Sequence, residues 1–214
     1  MAGSPRLLKG GLVLLDPGSA AVQRIIVLQY NPDSVSRTLQ VQAVSADGGD
    51  RSEALRLKAP PIETIKVEAE IDATDQLEAA EPTATSLGIH PQLAALETIV
   101  YPPSSQLLAG NRMAESGTLE IAPVQAPLIL FVWSKTRIVP VRITDFSVTE
   151  EAFDPALNPI RAKVSLGLRV LSVQDLGFQQ KGGSLYLAYQ QQKERLAALG
   201  GAGALGAVGI GGIP

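Results

Sequence analysis

Asp145, Glu150, Glu151 and Asp154 fall within one short stretch of the chain. Paired carboxylates can perform acid–base work or hold a hard cation. This stretch lacks the Asp-x-Asp-x-Asp-Gly rhythm of a calcium loop, so it reads as a solvated hairpin tip. Asp47, Asp50 and Glu53 read the same way. His90 is the single imidazole and lies between Ile89 and Pro91. With no Gly-x-Ser-x-Gly elbow anywhere, it reads as a capping or packing residue rather than a catalytic base. The absence of cysteine excludes thiol catalysis, disulfides and thiolate metal sites, and one histidine excludes a two-histidine zinc site within the chain. Gly201-Ala202-Gly203-Ala204-Leu205-Gly206 matches the dinucleotide string Gly-x-Gly-x-x-Gly. That string carries meaning only between a strand and a helix of a βαβ unit, and here it follows a Gln/Lys/Glu-rich helical stretch.

The elements that would position any site are mostly strands. Leu7–Leu15 and Val22–Tyr30 flank the turn Asp16-Pro17-Gly18-Ser19, and Asn31-Pro32-Asp33 ends the second. Arg37–Ala43 alternates, and with Ala54–Lys58 it suggests a hairpin (about 37–58) with too little apolar bulk to fill a core. Ile65, Val67, Ala69 and Ile71 alternate with Thr64, Lys66, Glu68, Glu70 and Asp72, so one face packs and the other meets water. Pro60-Pro61 is expected to set the start of that strand. Ala73–Ser86 reads as a loop with at most a helical turn. Leu93, Leu96, Ile99 and Val100 fit one helical face between Pro91 and Pro102-Pro103, the one helix expected in the body. Pro127–Trp133 is apolar on both faces, as a covered strand is. Arg137–Glu150 and Ile160–Val173 are two long arms of a further hairpin, and Ser184–Leu199 is helical in composition.

The chain of 214 residues has a hydrophobic fraction of 45% and a formal net charge of -3. It can bury a core, and it lacks the basic surface that nucleic acid demands. Aromatic residues make up only 4%, too few for base-stacking platforms. No segment reads as an export signal, and Gly200–Pro214 is shorter than the roughly 20 apolar residues of a membrane span. The expectation is a mainly β, antiparallel barrel or sandwich over residues 1–180 with one short helix. A C-terminal helix (181–199) and a flexible Gly-rich tail (200–214) follow. No cofactor, metal, nucleic acid or direct membrane insertion is expected. The polar-faced strands favour a binding or assembly role, with a small-ligand-binding β-barrel as the alternative and an enzyme using Asp145, Glu150 and Asp154 as a third reading.

Five segments in order resemble the tube proteins of contractile injection systems. Leu28–Ser36, with Tyr30-Asn31-Pro32, Val35 and Ser36, is similar to the family's near-N-terminal F/Y-N-P-x-x-(Y/V)-S pattern, and Ile71-Asp72-Ala73-Thr74-Asp75 to its F-D-x-T-D turn. Leu93–Leu96 before Tyr101-Pro102-Pro103 resembles an L-x-x-L…P-P helix. Pro127–Trp133 resembles a P-x-(L/V)-x-F-x-W strand, and Phe153–Val164 resembles the following hairpin. The resemblance covers about residues 6–175. It implies a phage-tail-tube fold, six copies closing a ring, and rings stacking into a tube driven outward by a sheath. It further implies a baseplate-proximal tube initiator or adaptor that joins the spike or hub to the regular tube. Its partners would be further copies of itself, neighbouring tube and spike/hub proteins, and sheath or cargo. Such a particle would be assembled in a bacterial cytoplasm and could be released. Two departures stand out: no lysin-motif domain is evident after residue 180, and Ala156-Leu157-Asn158 replaces the family's glycine turn. On this reading Leu39, Val41, Leu55 and Leu57 are expected at a subunit interface, within a hairpin reaching an adjacent subunit or ring. Arg161, Lys163, Ser165 and Arg169 are expected on channel-wall strands.

Overall fold

The computed structural model describes residues 8–43, 56–116, 126–201, 203 and 205–213. Seven strands form one antiparallel sheet: β1 (Gly11–Leu15), β2 (Val22–Val27), β3 (Val35–Ala43), β4 (Leu57–Asp72), β5 (Leu128–Ser134), β6 (Arg137–Glu150) and β7 (Arg161–Val170). The order is β2-β1-β5-β6-β7-β4-β3, and the sheet stays open rather than closing into a barrel.

β6 belongs to two halves of this sheet. Its first residues pair with β5, from Ser134↔Arg137 to Ile129↔Val141. From Val141 onward it pairs with β7, as far as Glu150↔Ala162. Pro140 sits at the handover, where its missing N–H costs least, and its carbonyl accepts from Leu171 N–H at 2.9 Å. Fourteen residues make β6 long enough to serve both halves.

Alternation decides which face is buried. Ile65, Val67, Ala69 and Ile71 of β4 meet Leu168, Leu166, Val164 and Ala162 of β7 in register, and all eight are buried. Leu12, Leu14, Ile129, Phe131, Val139 and Val141 join the same core from the other half. At about 1.5–3 kcal/mol for each fully buried large aliphatic side chain, this face dominates stability. Two helices plug it. α2 (Pro82–Leu87) contributes Ala84, while α3 (His90–Glu97), with the Ile89 and Ile99 that flank it, contributes Ile89, Leu93, Leu96 and Ile99.

Several expectations need correction. The body holds more than one helix. α1 (Thr74–Glu78) and α2 occupy the stretch expected to be a loop, and α4 (Ser104–Glu115) follows Pro103. Pro102-Pro103 does end one helix, but Pro103 is then the N-cap of the next. Pro60-Pro61 does not begin a strand; it lies inside the sixteen-residue β4. Register skips there, from Gln40↔Ile62 to Gln42↔Ala59, absorb two residues that cannot donate to the ladder. Gln42 Nε2 donates to Pro60 O at 2.9 Å and bridges the gap. The second long arm stops at Val170; Ser172 and Asp175 then form a capping box on α5 (Val173–Leu176). α6 (Lys181–Leu199) packs Tyr186 and Tyr189 into the core.

Candidate functional site

Beyond Thr64, β4 leaves β7 and continues with β3 alone as a two-stranded ribbon. Leu39 stands opposite Glu63, on the face that is apolar in the core, and Val41 is two residues further on the same face. Leu57 faces Ala43. The apolar side of the sheet thus runs outward past its own core. Leu39, Val41 and Leu57 are 45%, 66% and 72% exposed there. Leu55, expected with them, lies outside the described residues, as do Asp47, Asp50 and Glu53.

Among the described residues β3 is also an open edge. Over nine residues it has no proline and one charge, Arg37, so nothing in its sequence blocks a further strand. At the other margin, β2 exposes Val22, Ile25 and Val27. Among the described residues a third free edge lies inside the order: β5 covers β6 only as far as Val141, and no described strand pairs with Arg142–Glu150 on that side.

The opposite face of the second half is polar. Arg161, Lys163, Ser165 and Arg169 alternate with buried residues along β7 and stand in register with Asp72, Glu70, Glu68 and Thr64 of β4. The structure therefore brings these four expected residues onto one face. Their charges are largely matched. Arg161 Nε lies 2.6 Å from Asp72 Oδ2 and 3.8 Å from Glu70 Oε1. Lys163 Nζ lies 2.9 Å from Glu151 Oε1, and Arg169 Nη2 2.9 Å from Asp175 Oδ1. Hydrogen bonding to Asp72 raises the Arg161 guanidinium, and the Glu151 bond raises Lys163. Burial alone would raise the Asp72 carboxyl, but bonds from Thr74 and Arg161 overcome it and hold Asp72 below the usual range. A cleft of about 540 Å³ lies on this face between the Tyr30–Ser34 segment and Glu68, Glu70 and Lys163.

Of the four carboxylates clustered around the β6–β7 hairpin, Asp154 and Glu151 bind groups of the hairpin. Asp154 accepts from Ala156 N, Asn158 N and Asn158 Nδ2, each at 2.8 Å, and the Asn158 bonds hold its carboxyl low. Glu151 is taken up by Lys163, while Asp145 and Glu150 are exposed. Among the described residues no three His, Cys, Asp or Glu side chains gather as a metal site would require. His90 is exposed at the start of α3.

The family model for contractile injection system tube proteins matches residues 16–175, most of the chain and both halves of the sheet. The chain belongs to this family. No curated protein matches the chain. A solved structure described as the tail of an empty GTA particle, computed with helical refinement and C6 symmetry, aligns over 76% of this tube protein and 90% of that chain. The identity is 12% and the TM-score 0.28. No described helix of the tube protein is long and apolar enough to cross a membrane.

One residue of consequence was not singled out by sequence reasoning. Glu63 is 3% exposed and touches side chains of two other elements. The signal was present: it shares the odd-numbered phase of Ile65, Val67, Ala69 and Ile71.

Proposed function

We propose that this tube protein is a non-enzymatic structural subunit whose copies close head to tail into a ring of the inner tube. The observation that carries this reading is the unprotected β3 edge with its uncovered apolar ribbon. Strand directions alternate through β3, β4, β7 and β6, so β3 of one copy meets the free Arg142–Glu150 edge of the next in antiparallel sense. Head-to-tail contacts of this kind either close or run on as fibres, and closure removes every edge they use. The figure of six copies comes from the family resemblance. The polar face bearing Arg161, Lys163, Ser165 and Arg169 would line the channel, while the ribbon reaches an adjacent subunit or ring. Placement at the baseplate end, between spike or hub and regular tube, follows the same resemblance, as does assembly in a bacterial cytoplasm.

The test is self-assembly of the purified full chain, followed by sedimentation and negative-stain electron microscopy, with Val41→Lys as the variant. Rings are expected from the parent protein. For Val41→Lys, a folded monomer at the same concentration is expected, because a buried Val contact worth about 1.5 kcal/mol or more would become a buried charge. Undiminished ring formation by Val41→Lys, or a parent protein that remains monomeric when concentrated, would overturn the reading.

A further inference from the structure

Glu63 is the one charged residue in the buried class among the described residues. It sits at the root of the ribbon, one residue before β4 gains β7 as its second neighbour. Tyr189 Oη donates to Glu63 Oε1 at 3.0 Å. Arg37 Nε stands 3.6 Å from that oxygen, and Lys193 Nζ 3.8 Å from Oε2. The guanidinium also donates to Tyr189 Oη at 3.3 Å, and the Lys193 ammonium lies 4.3 Å from the centre of the Tyr189 ring. Three elements meet at this carboxylate: β4 supplies it, the edge strand β3 supplies Arg37, and α6 supplies the rest.

α6 is tied to the body near its start and through Tyr186 and Tyr189, which join the core. A Cβ at Gly183 would stand 1.8 Å from Gly177 O, and one at Gly182 would stand 2.3 Å from Leu176, so backbone and side chain close tightly there. From Glu194 to Leu199 every residue is exposed. The Glu63 cluster adds a further point that fixes the helix, and it ties the helix to the root of the ribbon as well as to the core. A buried carboxylate adds little net stability compared with an apolar residue of similar size, but it strongly penalises loss of a partner. Such a group enforces one arrangement of the parts that serve it.

We infer that Glu63, Tyr189, Lys193 and Arg37 form a lock through which the C-terminal helix sets the direction of the β3–β4 ribbon, so that helix and ribbon loosen together. The match to the tube family ends at residue 175, before α6 begins. The value of a fixed ribbon for assembly rests on the reading above; the lock itself does not.

The experiment is hydrogen–deuterium exchange of the unassembled full chain, comparing the parent protein with Glu63→Gln and Tyr189→Phe. The second variant keeps the ring and its packing and removes only the hydroxyl. Exchange is expected to quicken about tenfold in both Lys181–Leu199 and the ribbon segments 35–41 and 57–63, the scale of one lost hydrogen bond to a charged group. Amides of Ala162–Leu168 should remain as in the parent. If Tyr189→Phe loosens α6 while the ribbon exchanges as before, the lock is refuted. A uniform rise through β7 also refutes it, because the cluster would then act on global stability alone. Since the measurement needs no rings, failure of the ring reading leaves it intact.

Discussion

Raising the pH should unpick the Glu63 cluster at a predictable point. Burial, then the Glu63 charge and the hydrogen bond to it, push the Tyr189 phenol from 10.0 up to about 12, against smaller opposing effects of Arg37 and Arg137. In the unfolded chain the phenol ionises near 10, so between 10 and about 12 the native state binds more protons than the unfolded one. Stability supplied by this group is complete below pH 10 and is lost as the pH rises through about 12. A displacement of that size corresponds to about 3 kcal/mol at most. Tyr186, raised by burial and by Glu63, acts in the same direction. Lys193 acts oppositely: burial, with Arg37 beside it, lowers its ammonium, so its penalty eases as the pH climbs toward 10.5. Both of those residues persist in Tyr189→Phe, and the difference between the two proteins isolates the hydroxyl. Urea unfolding from pH 8 to 12 provides the measurement. At pH 8 the parent should exceed Tyr189→Phe by about 1–2 kcal/mol, the worth of the lost bond. The gap should close, and the order reverse, by pH 12. A gap that stays constant over this range would show that the phenol does not ionise against Glu63, and the account of the cluster would fall.

Two backbone substitutions test the loops beside the sheet. Leu157 occupies a left-handed conformation (φ 65°) in the β6–β7 hairpin, where the family resemblance expects glycine, and its side chain is 78% exposed. Leu157→Gly should relieve about 1–2 kcal/mol of strain, less about 0.5–1 kcal/mol of added unfolded-chain freedom, raising Tm by about 2 °C in a calorimetric scan; a fall in Tm would contradict this. Gly88 also has positive φ (56°), and a Cβ there would lie 2.1 Å from Pro159 O, the acceptor for Ile89 N–H at 2.9 Å. Gly88→Ala should cost about 3 kcal/mol or more by urea unfolding, and a loss below about 1 kcal/mol would mean that this junction yields freely.

Much of this architecture was legible because strands declare themselves by period. The alternation through Ile65–Ile71 marks a strand with one buried face, and Arg137–Glu150 delimits β6 at the residues where the structure begins and ends it. Helix α3 was equally legible, since Leu93 and Leu96 repeat at helical spacing and are buried. Helix α4 was not, because none of its residues is buried and its large apolar residues Leu107, Leu108 and Met113 are exposed. The prolines at 60 and 61 misled for a different reason: a proline pair usually stops a strand, and only the register skip against β3 permits it to continue. Pairing partners are not encoded in any local pattern, so the shared role of β6 had to await three dimensions. For the proposed assembly surface, Leu39, Val41 and Leu57 stood out as apolar residues of a hairpin with too little bulk to fill a core, and all three are exposed. Glu63 required asking which polar residue falls in an apolar phase.

The proline pair has one more consequence. On the β7-facing flank of the ribbon no described strand pairs, and because successive backbone N–H groups alternate between flanks, the Pro60-Pro61 pair takes one donor from that flank. On the β3 side the donors are intact. If copies pair along the ribbon as proposed, a newcomer meets a complete row of donors on one flank and an interrupted row on the other. A ribbon equally adhesive on both flanks would invite branching; an interruption in one flank weighs against it.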